Sequence, residues 1–155
     1  MNSTFKKIQN NDKHLYGPRK AVFTGFKTDA QPELIKVLEN AGLAELPTAW
    51  PGKTEEGLTL DEIFTCDDKL GWGKNSKLCQ TIIVGGISQK QLKIFMALMK
   101  KSHLEYPLWA TLTPVSQKWK LKELLNELKK NIAVKSWQRL QKLKKQNATP
   151  TENDS

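Results

Sequence analysis

The sequence LWATLTPVSQKWKLKELLNEL, residues 108–128, contains a strand, a turn and a helix in one short stretch. Its alternating apolar residues are typical of a strand, and the strand ends at Thr113-Pro114, where the proline favours a turn. Trp119 then begins a leucine-rich segment with the spacing of an amphipathic helix. A weaker copy, LPTAWPGKTEEGLTLDEIF, occupies residues 46–64. The two copies predict an α/β protein.

Three further short apolar runs are predicted strands, because they contain β-branched or aromatic residues and end at turn-forming residues. They are residues 21–24, 46–50 and 81–84. Apolar residues at helical spacing follow the first and the last of these runs. We expect Asp29 to be the N-cap residue of the first helix and Ser88 that of the second.

The predicted elements occur twice in the same order, which indicates an internal repeat of a β-α-β-α unit. In the alignment of the two copies, Gly25 corresponds to Gly85 and Leu60 corresponds to Leu121. One such unit cannot cover both faces of its own sheet, so pairing with a second copy is the physical solution. The predicted halves are residues 19–65 and 79–130.

We therefore expect a single α/β domain over residues 19–145, with a four-stranded sheet packed by helices and a long basic C-terminal helix that extends to residue 145. A polar connector, residues 65–78, joins the halves. The polar residues 1–18 are predicted to be a flexible arm, and residues 146–155 a disordered tail. The order of the strands in the sheet does not follow from these patterns.

The turn and the last predicted helix carry a family resemblance. Over residues ~80–130 the chain resembles the bacterial family called domain of unknown function 3783, in which a strand ends in Leu-Thr-Pro and is followed by Trp and a Leu-Leu-x-Glu-Leu helix. The matching residues here are Leu112-Thr113-Pro114, Trp119 and Leu124-Leu125-Asn126-Glu127-Leu128. The resemblance implies a small α/β fold and no particular activity.

The composition is that of a soluble globular protein, with 38% hydrophobic and 26% charged residues. No apolar run approaches the ~20 residues that span a bilayer, and the first residues lack the apolar core of a signal peptide, so we expect a cytoplasmic protein. Cys66 and Cys79 are too few for a disulfide framework. Because His14 and His103 lie far from them in the sequence, no metal site is predicted. No cofactor is expected.

The positive charge is concentrated in one segment. The net charge is +9, and residues 118–145 contain ten Lys or Arg but only two Glu. An acidic protein or a nucleic acid is the expected partner, and contact with an anionic membrane surface is a further possibility because the other face of this helix is apolar. The predicted contact residues are Lys129, Lys130, Lys135, Arg139, Lys142, Lys144 and Lys145.

A second candidate site lies at the end of the strand in the opening stretch. Thr111, Thr113 and Trp119 crowd that end, and ligands of α/β proteins bind at the carboxyl ends of strands. The alternative interpretation is structural: Thr113 shapes a turn, and Trp119 packs on the start of the helix. A glycine-containing loop, GWGKNS at residues 71–76, lacks the spacing of a phosphate-binding loop.

The sequence offers no constellation of catalytic residues, since two isolated histidines cannot complete a triad or a Cys/His pair that the spacing supports. We therefore expect a non-catalytic binding module that uses its basic C-terminal helix. The alternative is a small-molecule sensor or an enzyme with a pocket near Thr111, Thr113 and Trp119.

Overall fold

The structure, a computed structural model, describes residues 13–132 of the chain. This range contains four strands and four α-helices, which confirms the predicted mixed α/β fold with a four-stranded sheet. The strands are β1 (Lys20–Thr24), β2 (Thr48–Ala49), β3 (Thr81–Gly85) and β4 (Leu108–Thr111). The helices are α1 (Gln31–Asn40), α2 (Leu60–Thr65), α3 (Gln89–Lys101) and α4, of which residues 121–132 are described.

The four strands form one sheet with the order β2-β1-β3-β4. β1 pairs in parallel with β2, and β3 pairs in parallel with β4. The two central strands, β1 and β3, pair antiparallel. A helix connects the strands of each parallel pair, because a parallel connection must return along the sheet. The sheet thus consists of two β-α-β units that meet through β1 and β3.

One offset along the chain relates the two units. Val22 pairs with Ile83, 61 residues later, at the centre of the antiparallel pair. The same offset converts the pairing of Val22 with Ala49 into the pairing of Ile83 with Ala110, and both pairings are present. The two units therefore agree in strand register as well as in the order of their elements. A common origin of their sequences stays a prediction.

Two glycines permit the close approach of the units. Gly25 and Gly86 are related by this offset, so the sequence alignment of Gly25 with Gly85 is wrong by one residue. Both glycines have a positive φ, of 78° and 71°. A Cβ atom on Gly25 would overlap the backbone at Gln80, and one on Gly86 would overlap the backbone of Arg19. Only glycine fits this conformation at so short a distance.

Helices cover both faces of the sheet. α1 and α3 pack on one face, around residues such as Phe23 and Phe95. α2 and α4 pack on the other face, around Leu60, Ile83 and Leu121. Because β1 and β3 are buried on both faces, their sequences read as continuous apolar runs rather than as alternating ones.

The helix starts confirm one predicted cap and correct another. The hydroxyl of Ser88 accepts the backbone N–H of Gln91 at 3.0 Å, so Ser88 caps α3 as predicted. Asp29 does not cap α1, because the N-cap residue is Ala30 and no side chain caps this end. Pro32 in the first turn has no N–H, which reduces the number of backbone donors that need a partner.

α2 and α4 begin side by side. Thr59 and Lys120, the residues before the two helices, form an antiparallel bridge and are themselves 61 residues apart. The Leu60 N–H donates to the Trp119 carbonyl at 2.9 Å. The start of α2 therefore fixes the backbone of Trp119, a residue of the predicted pocket.

Each of these two helices has a glutamate that caps its own first turn. The N–H of Thr59 donates to Glu62 Oε1 at 3.0 Å, and the N–H of Lys120 donates to Glu123 Oε1 at 3.0 Å. In α2 the Thr59 hydroxyl adds a second bond to the same carboxylate. These bonds from the Thr59 backbone and hydroxyl favour the ionised carboxylate, so the pKa of Glu62 lies below its ordinary 4.5.

Part of the predicted N-terminal arm contacts the domain. The Leu15 N–H donates to the Ile87 carbonyl at 2.7 Å, and His14 forms a bridge with Ser88. The Leu15 side chain packs against the core beneath α1 and α3. Residues 1–12 of the arm, the helix extension to residue 145 and the predicted tail at 146–155 lie outside the described residues.

Candidate binding surface

The predicted basic helix is described only in its first part. Lys129 and Lys130 are exposed on α4. The Lys130 Nζ atom lies 3.7 Å from Glu127 Oε1, and an exposed ion pair of this kind is weak enough to yield to another anion. The remaining predicted contact residues lie outside the described residues: Lys135, Arg139, Lys142, Lys144 and Lys145.

The residues of the predicted pocket have separate structural roles. Thr113 forms a turn with Ser116, because its hydroxyl accepts the Ser116 N–H at 2.9 Å and its own N–H donates to the Ser116 hydroxyl at 3.0 Å. Trp119 packs against the core beneath α2 and α4. Thr111 is exposed at the end of β4. These positions support the structural interpretation of Thr113 and Trp119.

Trp119 also lines an open groove of about 610 Å³ along α4. The other lining residues are Glu123, Asn126, Glu127 and Lys130, and neither Thr111 nor Thr113 is among them. Two carboxylates face one ammonium group in this groove. The groove itself therefore does not favour an anionic ligand.

The structure adds a basic surface on α3 that the sequence analysis missed. Lys90, Lys93, Lys100 and Lys101 are exposed on this helix, which has no acidic residue. None of the four forms a salt bridge with any other residue between positions 13 and 132. Lys100 Nζ lies 5.8 Å from the centre of the Tyr106 ring. The signal was present in the sequence as four lysines without a carboxylate, but the denser charge after residue 118 concealed it.

The two halves of the described chain differ in charge. Residues 80–132 contain nine lysines and three glutamates, whereas residues 19–79 contain eight basic and ten acidic residues. The helices of the basic half pack on opposite faces of the sheet. α3 shares a core with Trp109 of β4, and α4 shares a core with the next residue, Ala110. The basic helices therefore flank β4 from both sides.

The outer edge of β2 is covered by the connector between the halves. The Thr48 N–H donates to Asp68 Oδ1 at 2.8 Å, and the Thr48 carbonyl accepts the Lys69 N–H at 2.7 Å. The Trp50 N–H donates to the Leu70 carbonyl at 2.6 Å. The connector thus runs parallel to β2 as an additional edge segment. As a result, Thr48 is only 3% exposed.

The connector is held in place by buried side-chain and backbone contacts. Gln31 of α1, which is 2% exposed, accepts the Gly73 N–H at 2.8 Å and donates to the Lys74 carbonyl at 2.9 Å. Gly71 has a φ of 79°, and a Cβ atom there would overlap the Trp50 carbonyl. The glycines of this loop therefore serve packing and turn geometry.

The equivalent edge of β4 is uncovered in the described part of the chain. The N–H groups of Leu108 and Leu112 donate toward β3, each at 3.0 Å. Because backbone groups along a strand alternate in direction, Trp109 and Thr111 direct their N–H and C=O groups away from the sheet. Neither amide donates a hydrogen bond to a residue between positions 13 and 132. The side chains of β4 are half-buried or exposed, whereas both residues of β2 are buried.

A cavity of about 390 Å³ lies between α1, β2 and the connector. Leu38, Thr48, Asp68, Lys69 and Trp72 are among its lining residues. Lys69 has a φ of 68°, the only positive φ of a non-glycine residue in the described range. The cavity combines an apolar wall with charged groups and has the size of a small-molecule site.

Within residues 13–132, no cluster of three or more His, Cys, Asp or Glu side chains is placed to hold a metal ion. Cys66 and Cys79 are free thiols. None of the helices described is both long enough and apolar enough to cross a membrane.

Comparison with known proteins identifies the second half of the chain. Residues 80–131 match the model of a family described as domain of unknown function (DUF3783). The resemblance predicted for residues ~80–130 is therefore confirmed. The matched range begins just before β3 and ends within α4, so it contains one complete β-α-β-α unit. No curated protein and no solved structure matches the chain.

Proposed function

We propose that the protein is a non-catalytic cytoplasmic binding module whose basic second half binds an acidic protein or a nucleic acid. The observation that carries this proposal is the uneven distribution of charge: nine lysines against three glutamates in residues 80–132, and a slight acidic excess in the first half. The C-terminal helix, with its basic residues from Lys129 to Lys145, would continue this surface.

The chemistry of the surface favours attraction of a polyanion over recognition of one particular group. Every basic residue in residues 80–132 is a lysine, which acts as a mobile point charge and lacks the planar fork of arginine. The four lysines of α3 can contact an anion without first breaking a salt bridge within the described residues. Binding should therefore weaken steeply as the salt concentration rises.

The proposal is tested by fluorescence anisotropy with labelled RNA, labelled DNA and labelled poly-glutamate across a series of salt concentrations. The full chain is compared with two variants that lose the same charge in different places. One carries Lys142→Ala, Lys144→Ala and Lys145→Ala in the C-terminal helix. The matched control carries Lys27→Ala, Lys53→Ala and Lys77→Ala, all exposed lysines of the first half and the connector.

The C-terminal variant is expected to bind at least one of the three polyanions about tenfold more weakly and with a shallower salt dependence, since fewer counterions are displaced. The control variant is expected to bind like the unaltered protein. Equal losses in the two variants would show that only net charge matters, and absence of binding to all three probes would refute the proposal.

The cavity beside the connector favours small-molecule binding as a second candidate function, at a place different from the predicted pocket at Thr111, Thr113 and Trp119. A bound metabolite would raise the unfolding temperature of the full chain. The variant Trp72→Ala should abolish that increase, whereas Trp119→Ala should not. If no metabolite in a panel raises the unfolding temperature, this candidate is rejected.

A further inference from the structure

The covered edge of β2 shows what the uncovered edge of β4 can bind. The offset of 61 residues that relates the two units converts Thr48 into Trp109 and Trp50 into Thr111. These are the residues of each edge strand that direct their backbone groups outward. In β2 their outward amides donate to Asp68 Oδ1 and to the Leu70 carbonyl. In β4 the same two amides have no acceptor between residues 13 and 132.

The chemistry of the missing segment follows from the segment that is present. On β2, a carboxylate accepts the first outward N–H, and a backbone carbonyl two residues later accepts the second. The segment runs parallel to the strand that it covers. An equivalent segment on β4 would therefore be extended, parallel to β4, and would place an aspartate against the Trp109 N–H.

The surroundings of β4 favour an acidic segment more strongly than those of β2 do. α3 on one face carries Lys100 and Lys101 in its last turn, and α4 on the other face carries Lys129 and Lys130. The half of the chain that contains β4 has nine lysines and three glutamates. Charge complementarity of this kind selects an acidic partner and speeds the encounter with it.

Exposed aromatic surface lies beside the same edge. Tyr106 is 41% exposed, and its ring centre lies 6.0 Å from that of the half-buried Trp109. Lys100 lies over the Tyr106 ring. This cluster can pack against the side chains of an added strand, which supply specificity when backbone hydrogen bonds supply affinity.

We propose that the outer edge of β4 binds an extended, aspartate-containing segment of a partner protein as a fifth strand of the sheet. This inference rests on the proposed function and makes it more specific: the acidic partner is a protein, and its contact is an edge strand rather than the C-terminal helix alone. The lysines attract the segment, and the outward groups of Trp109 and Thr111 hold it.

The probe is a synthetic peptide with the sequence Thr-Ser-Asp-Asp-Lys-Leu-Gly-Trp, which copies residues 65–72 with serine in place of the cysteine. It is titrated into the ¹⁵N-labelled full chain, and its affinity is taken from the amide shift changes. Two further peptides carry alanine in place of either the first or the second aspartate. They lose the same charge, but only the second lacks the carboxylate that contacts the strand edge.

Two variants of the full chain separate the edge from the charge. Thr111→Pro removes an outward N–H and obstructs an added strand, but it leaves the bonds between β3 and β4 intact, since proline is tolerated where the N–H faces solvent. Thr111→Val keeps this N–H and removes only the hydroxyl. The unfolding temperatures of both variants are measured to show that they are folded.

We expect the largest shift changes at Trp109 and Thr111. The peptide should bind Thr111→Pro at least tenfold more weakly and Thr111→Val with unchanged affinity. The peptide without its second aspartate should bind more weakly than the one without its first. Absence of binding, or equal affinity for both variants, would overturn the inference, while the polyanion binding proposed above would stand or fall on its own anisotropy experiment.

The remaining occupants of the edge are distinguished in the same samples. A second copy of the chain at β4 would appear as a dimer in sedimentation that Thr111→Pro converts to a monomer, and this result would overturn the proposal of a foreign segment. A nucleic acid that competes with the peptide and shifts the same two amides would also overturn it, because the edge would then not select a protein strand.

Discussion

The two halves of this protein have the same elements in the same register and end in two different edges. In the first half, the connector satisfies the outward amides of Thr48 and Trp50. In the second half, the equivalent amides of Trp109 and Thr111 have no partner in the described range, and the surrounding helices are basic. One edge is thus closed by the chain itself, and the other is available to another molecule.

This difference teaches that the function of a pseudo-symmetric fold can lie where its symmetry is broken. The paired strands and the starts of α2 and α4 obey the offset of 61 residues. The connector does not, because the chain after the second unit continues as α4. An uncovered edge strand is a liability that proteins ordinarily manage, so its retention beside a lysine-rich helix is a functional signal.

The largest expected effect distinguishes the inner from the outer side of β4. Ala110 directs its N–H toward β3, so Ala110→Pro should lower the free energy of unfolding by about 3 kcal/mol, because it removes a ladder bond and introduces a clash. The control Thr111→Pro acts on the outer side and should lower it by less than about 1 kcal/mol. Urea unfolding measures both, and equal losses would mean that the outer side is also paired.

The next effect concerns the cover on β2. Gly71→Ala should lower the free energy of unfolding by about 2–4 kcal/mol, because the new methyl group overlaps the Trp50 carbonyl and the positive φ disfavours alanine. Gly73 also has a positive φ, of 86°, but open space around its Cα, so Gly73→Ala should lower it by only about 1 kcal/mol. If both substitutions have the same small effect, the connector is not packed against β2.

A smaller effect is expected from the carboxylate that closes the β2 edge. Asp68→Ala leaves the buried Thr48 N–H without an acceptor and should lower the free energy of unfolding by about 1–3 kcal/mol. The neighbouring Asp67→Ala is the matched control, because this exposed side chain makes no hydrogen bond within the described residues, and its effect should stay within about 0.5 kcal/mol. Chemical unfolding of the two variants decides between them, and an inverted order would exclude the proposed role of Asp68.

The smallest effect sharpens the comparison of α2 with α4. Hydrogen bonds from Thr59 lower the pKa of Glu62 in the folded protein, so this carboxylate contributes stability above its ordinary pKa of 4.5 and loses it as the pH falls through the lower, folded value. Glu62→Gln should flatten the pH dependence of the unfolding temperature in that acidic range. The exposed Glu39→Gln serves as control, and an unchanged pH profile for Glu62→Gln would contradict the capping role.

Much of the fold could be predicted from the sequence, because buried strands and amphipathic helices leave periodic apolar patterns. The predicted strands and the Ser88 cap are present. The cap at Asp29 is wrong, since the sequence cannot show that α1 begins at Pro32 without a side-chain cap. The alignment through Gly85 is wrong because two adjacent glycines look alike until the backbone of Arg19 is seen against Gly86.

The candidate site was less predictable. The sequence analysis identified the lysines near the C-terminus and an apparent pocket at Thr111, Thr113 and Trp119, because composition and turn chemistry are local properties. The open edge depends on which amides of β4 lack partners, and that depends on strand order and on the path of the connector. Both are set by contacts between residues far apart in the chain, such as Trp50 with Leu70.

The central claim, that one edge is closed and its equivalent is open, is tested most directly by amide hydrogen exchange of the full chain measured by NMR. The amides of Thr48 and Trp50 should be protected, as should those of Leu108 and Ala110 on the inner side of β4. The amide of Thr111 should exchange at nearly the rate of an exposed peptide, with Trp109 slowed only by its neighbouring side chains. Protection of Trp109 and Thr111 equal to that of Thr48 and Trp50 would contradict the account.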